Sequence, residues 1–141
     1  MDFSNINWLA VIVCVIVNML IGSAWFNPKT FFPIWWKGIG KTENDEPGGN
    51  MGMIWTLTVF SALVQAVFMA LMVNAMGSMA PGGPTLGSGA LAGFLLWLGF
   101  VAPTSLVNKL FAGHGLKIWA IEAGNHLADF LAMGAILGAW H

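Results

Sequence analysis

The chain has no arginine and no tyrosine, a single cysteine, and charged side chains at only 8% of its 141 positions. Neutralising phosphates takes clustered lysine and arginine, and with a formal net charge of −1 the sequence offers no general attraction to nucleic acid, which is set aside as a partner. One cysteine, Cys14, rules out an intrachain disulfide and a thiolate metal cluster, and its place inside an apolar stretch marks it as a small core residue. The scarcity of charge goes with 57% hydrophobic residues and a mean hydropathy of +0.77, outside the range of soluble domains. These numbers predict an integral membrane protein whose first partner is the lipid bilayer.

Four apolar stretches approach or exceed the roughly 20 residues that cross a bilayer core: about 7–26, 53–76, 86–107 and 117–140. The expected fold is all-α, a single membrane domain over 1–141 built as a four-helix bundle. The opening MDFSNIN carries no lysine, and the run after it is too long for the apolar part of a signal peptide, so the first stretch is expected to remain as a transmembrane helix.

Lys29, Lys37 and Lys41 follow the first span, and Lys109 and Lys117 bracket the link between the third and fourth. With four spans both links fall on one side. The excess of positive charge in cytoplasmic loops then puts the N-terminus and the C-terminus on the non-cytoplasmic side of the inner (cytoplasmic) membrane.

The link at 27–50 begins with Asn27-Pro28, which discourages further helix. Phe31, Phe32, Ile34, Trp35 and Trp36 then mix with lysines, as suits a segment at headgroup level, although aromatics folded back over the helices would look the same. Pro47, Gly48 and Gly49 predict a flexible loop, and GSMAPGGPTLGSG a tight uncharged turn between spans two and three. A faint duplication relates Gly22 and Pro28 to Gly99 and Pro103, each followed by a lysine, in the manner of parallel transporter repeats.

The last span contains Glu122, Asn125, His126 and Asp129. At about 100° per residue all four fall within about 60° of one line on the helix, and charged groups at membrane depth cost about 2.5 to 3.5 kcal/mol each on insertion scales. They are expected to turn inward. Thr58, Ser61 and Gln65 form a second stripe on span two, continuing into Met69 and Met72, and Asn18 lies near mid-depth on span one. The economical arrangement has span two facing span four with Asn18 reaching in, and Asp129 and His126 sharing a proton. Glu122, nearer the interface, is expected to be relieved by snorkelling or by Lys117. The ordinary alternative is interhelical glue at about 0.6 kcal/mol per hydrogen bond.

Glu122, His126 and Asp129 are not spaced specifically enough for a metal, and neither His114 in the link nor His141 at the far end completes a coordination sphere, so no metal or cofactor is assigned. No nucleophile with an adjacent base is evident, so the chain is not read as an enzyme. Gly134 and Gly138 form one small-residue step and Gly89 and Gly93 another, suited either to packing inside the bundle or to a subunit interface. Trp8, Trp25, Trp55, Trp119 and Trp140, near span ends, are expected as interfacial anchors.

The residues Asn7-Trp8-Leu9-Ala10, Gly22 with Trp25-Phe26-Asn27-Pro28, Gly93-Phe94 with Trp97 and Gly99-Phe100, Asn125-His126-Leu127, and Gly134 to Trp140 make the sequence resemble a bacterial membrane family, domain of unknown function 1761 (DUF1761). Where that family usually has Trp-Tyr-Ser-Pro, this chain has Trp-Phe-Asn-Pro and lacks the phenol. The resemblance implies a small multi-helix membrane protein and brings no activity with it. From the residues, the expected function is a channel or transporter subunit, homo-oligomeric, handling protons or a small polar solute through Asp129 and His126. The alternative is a structural or accessory subunit of a larger membrane complex.

Overall fold

The computed structural model describes residues 2–46 and 48–141. Met1 and Pro47 lie outside the described residues, and with Pro47 one position of the expected loop. Every regular element among the described residues is helical: a 3-10 turn (Phe3–Asn5), then α1 (Trp8–Trp25), α2 (Phe32–Gly38), α3 (Met51–Gly77), α4 (Leu86–Leu96), a π turn (Trp97–Val101), α5 (Ala102–Phe111) and α6 (Gly115–Ala139).

Local chemistry sets the ends. Asn7 Oδ1 accepts the Ala10 amide at 3.1 Å to start α1, and Asn50 Oδ1 accepts from the Gly52 and Met53 amides to start α3. Thr85 and Ser88 exchange hydrogen bonds in a capping box at α4. Helix α1 stops before Asn27-Pro28, and the Thr30 hydroxyl reaches the Trp25 carbonyl at 2.8 Å, turning the chain back. Gly113 and Gly115, at φ of 78° and 85°, make the sharp turn into α6 that a side chain would resist.

The third stretch departs from its expected end. It runs unbroken from Leu86 to Phe111 through Pro103, because the π turn widens the backbone ahead of the ring: the Ala102 amide bonds the Trp97 carbonyl, five residues back. The suggested duplication fails at this point, since one proline follows a helix and the other lies within one.

Three helical segments are long and apolar enough to cross a membrane: Trp8–Trp25, Met51–Gly77 and Leu86–Phe111. Helix α6 has 25 residues, about 37 Å at 1.5 Å per residue, but its polar side chains keep it out of that set. It does not need an apolar surface all round. It touches α1, α2, α3, α4 and α5, and Ile118, Ile121, Ala123, Met133 and Leu137 are all buried along it.

The closest approach is between α4 and α6, which run antiparallel. A Cβ added at Gly89 would land on the Gly134 carbonyl, one at Gly134 on the Gly89 carbonyl, one at Gly93 on the Phe130 carbonyl and one at Gly138 on the Thr85 carbonyl. Both small-residue steps are therefore spent on each other within the chain. Indole N–H groups add polar stitches between helices: Trp25 donates to the Ile121 carbonyl at 2.8 Å, Trp97 to Ala123 at 2.9 Å and Trp119 to Ala102 at 3.1 Å. Of the tryptophans expected as interfacial anchors, Trp25 and Trp119 serve as interhelical donors, while Trp8, Trp55 and Trp140 are exposed.

Packing is uneven along the molecule. In the half near the two termini, Ala10, Val11 and Cys14 of α1 meet Ala66, Met69, Ala70 and Val73 of α3 and Met133 and Leu137 of α6 in one core. Toward α2 that core ends. From Met51 to Ser61 no residue of α3 is buried, and α1 buries none beyond Cys14. The two helices part there, leaving a cleft backed by α6.

A cleft between three helices

The cleft has a volume of about 710 Å³. Helix α1 supplies Asn18 and Gly22, with Phe26 just past its end; α3 supplies Trp55, Thr58, Ser61 and Gln65; α6 forms the back wall with Asn125, His126 and Asp129. Helix α2 folds over one end, bringing Phe32, Trp35 and Trp36 to the lining. Ile34 of that short helix and Phe31 just before it are exposed, so the segment's aromatics divide between covering the helices and facing the surroundings. Phe26 and Trp35 hold the fold-back together with ring centroids 5.0 Å apart.

Spacing explains the polar lining. Thr58, Ser61 and Gln65 recur at three and four residues on α3, and Asn125 and Asp129 at four on α6, so each helix presents one stripe. Counted from Met51 and Gly115, Gln65 and Asp129 both lie about 21 Å along their helices, and α3 and α6 run in the same direction. The sequence-predicted residues Asn18, Gln65, Asn125, His126 and Asp129 thus share one cavity. The Thr58 hydroxyl is already committed, donating to the Ile54 carbonyl at 2.7 Å.

At the inner end of the cleft two acceptors stand alone. Asp129 is 3% exposed and Asn125 9%, and neither Asp129 Oδ1 nor Asn125 Oδ1 has a hydrogen-bond partner. A buried polar atom without a partner costs about 1–3 kcal/mol, more for a charged group, and natural structures keep few of them. The expected shared proton between Asp129 and His126 is not formed: no hydrogen bond joins them among the described residues. They are three residues apart on α6 and both contribute to the cleft lining.

Glu122 does not belong to this group. It sits two turns nearer the α2 end, where Lys109 Nζ lies 2.8 Å from its Oε2 and the Trp35 indole donates to the same oxygen at 3.1 Å. Lys109, not Lys117, is its counter-ion, because α5 packs beside α6 at that level while Lys117 is exposed. Lys109 Nζ is also 3.5 Å from His114 Nδ1. This second polar cluster braces α2, α5 and α6; Glu122 and Lys109 do not line the cleft, while Trp35 touches both the cluster and the cleft.

The aromatic lining was beyond sequence reasoning. Trp35 and Trp36 were legible as surface-seeking residues, but nothing in their spacing says which cavity they close. Lys37, His114 and Lys117 line a separate groove of about 650 Å³ between α2 and α6, on the outer side of the same end.

No curated protein and no solved structure shows a significant match to this sequence. A family pattern does match, over residues 9–138, and the helices and cleft described above fall almost wholly within it. The chain belongs to the family described as protein of unknown function, DUF1761.

Proposed function

We propose that the protein is a non-enzymatic membrane subunit that takes protons or a small polar solute from one side of the cytoplasmic membrane into the cleft, with Asp129 as the principal binding group and His126 beside it. The observation that carries this reading is the pair of buried, unpartnered oxygens of Asp129 and Asn125 at the end of an open cavity. Polar side chains serving only as glue would have found each other.

In this reading α6 crosses the bilayer with the three apolar segments as a four-helix bundle, and both termini lie on the non-cytoplasmic side. All five lysines sit at the α2 end, and the groove with Lys37 and Lys117 faces anionic headgroups there. The cleft then opens toward the cytoplasm, and the core around Cys14, Ala66 and Met133 closes the other half. Release on the far side requires that core to part, so the protein works between two states. A homo-oligomer remains part of the proposal, but its interface must use surfaces other than the Gly89–Gly134 seam.

In vesicles loaded with a pH-sensitive dye, the wild type is expected to dissipate an imposed proton gradient several-fold faster than empty vesicles. Asp129→Asn should fall to the empty-vesicle rate, and His126→Ala to an intermediate one. Equal rates in all four preparations would remove the proton path.

A second reading rests on Met51–Ser61, a stretch of α3 without one buried residue. A larger membrane complex would cover it, making the chain an accessory subunit. Isolation in a mild detergent separates the two: a stoichiometric membrane partner supports this second reading, and the chain alone or with itself supports the first.

A further inference from the structure

The groups around the cleft specify more than polarity. At its inner end Asp129 Oδ1 and Asn125 Oδ1, both acceptors, have no donor. No lysine lines the cavity, the half-buried ammonium of Lys109 is held by Glu122 outside it, and the one basic side chain in the lining is the imidazole of His126. Asp129 is therefore an acidic side chain with no lysine counter-ion and no bond to His126, in a place shielded from solvent.

Toward the α2 end the same cavity is walled by the rings of Phe26, Phe32, Trp35, Trp36 and Trp55. Aromatic faces attract cations and also accept apolar bodies. A carboxylate and an amide oxygen at one end and indole faces at the other ask for a molecule with N–H donors and positive charge at its head and hydrocarbon behind it.

The cavity's walls also set the route. No residue of α3 is buried from Met51 to Ser61, and Trp55 and Leu57 line the cavity while more than half exposed, so the gap between α1 and α3 opens sideways as well as toward α2. A molecule with an apolar body can enter from the lipid without giving up its hydrophobic environment, turning only its head toward Asp129.

We infer that the cleft binds an organic ammonium ion with an apolar or aromatic body, its N–H groups donating to Asp129 and Asn125 and its body lying against Trp35, Trp36 and Trp55. This rests on the reading of the cleft as a binding site, and narrows its ligand to one chemical class. Neutral and anionic molecules of the same shape are disfavoured by the same groups: an alcohol leaves the carboxylate without a counter-charge, and a carboxylic acid anion is repelled by it.

The test uses the full chain in lipid nanodiscs, with tryptophan emission as the readout and 2-phenylethylammonium, 2-phenylethanol and 3-phenylpropanoate as probes. Empty nanodiscs carrying a dissolved tryptophan analogue correct for partitioning. The ammonium is expected to change the emission saturably and to bind at least tenfold more tightly than the other two. Asp129→Asn should erase that tenfold preference, Asp129→Glu should keep most of it, and Trp55→Ala should weaken all three probes together. Thermal unfolding of each variant checks that it is folded. Equal binding of the three probes to the wild type, or an ammonium preference that survives in folded Asp129→Asn, overturns the inference. If the preference is absent while Asp129 still governs proton flux in vesicles, the ligand class falls and the transport reading stands. If the preference is present and no flux is found, binding stands without transport.

Discussion

Gly134→Val is expected to lower stability more than any other single substitution in the helix core, by about 3 kcal/mol or more. The Cβ of the new side chain would fall on the Gly89 carbonyl oxygen and lie 2.9 Å from its carbon and 3.3 Å from the Gly93 amide nitrogen, before either methyl group is placed. These are backbone atoms. A flexible side chain can swing aside, but a helix carbonyl moves only if α4 and α6 separate along their length. Separation also opens the Gly93–Phe130 and Gly138–Thr85 contacts, which depend on the same spacing. Little else would compensate, since lipid offers apolar side chains as good an environment as a neighbouring helix does, and association inside a bilayer relies on close van der Waals contact. Gly22→Ala is the matching control: no atom lies within 4 Å of a Cβ there, and its helix propensity gain is about 1 kcal/mol. The two variants are compared by reversible denaturation in mixed micelles, following helical ellipticity. A Gly134→Val protein as stable as the Gly22→Ala protein would show that the seam is not the closest joint in the fold.

That seam also shows what a sequence can and cannot disclose here. The four-residue spacing of Gly89 and Gly93, and of Gly134 and Gly138, marks two smooth faces, but spacing along one helix carries no information about which surface it meets. The same limit separates Glu122 from Asp129. They are seven residues apart, nearly the same direction on a helical wheel, yet about 10 Å apart along the axis; one level faces α5 and α2, the other α1 and α3. The wheel fixed azimuth, and azimuth was enough to collect Asn125, His126 and Asp129 on one wall and Thr58, Ser61 and Gln65 on the facing one. Depth was legible too, from lengths and the lysine-bearing ends. What stayed hidden was the parting of α1 and α3 beyond Cys14 and Ala62, because Trp55, Leu57 and Phe60 are as apolar as residues of a packed helix. The indole bonds to the Ile121, Ala123 and Ala102 carbonyls were equally hidden: a carbonyl inside a helix gives no sign in sequence that it will accept a second donor.

Glu122→Ala is expected to be the second most damaging change, at about 2 kcal/mol. Removing one member of a fully buried ion pair costs about 3–5 kcal/mol because the other charge is stranded, and here each side chain is 20% exposed, so solvent screens part of that loss. The substitution also frees the Trp35 indole, which donates to Glu122 Oε2 at 3.1 Å. Helix α2 then loses its polar tie to α6 and rests on its aromatic contacts with the rest of the chain, such as Trp35 with Phe26 at 5.0 Å between centroids. Lys109→Met should cost less than Glu122→Ala, since Glu122 would keep the indole donor while losing its cation. The double variant should recover most of the damage, because no charge is then left without a counter-charge. A double-mutant cycle by thermal unfolding in detergent measures this coupling. Strict additivity of the two single losses would mean that Lys109 and Glu122 act separately, and the brace between α5 and α6 would have to be sought in the Trp119 bond to Ala102 instead.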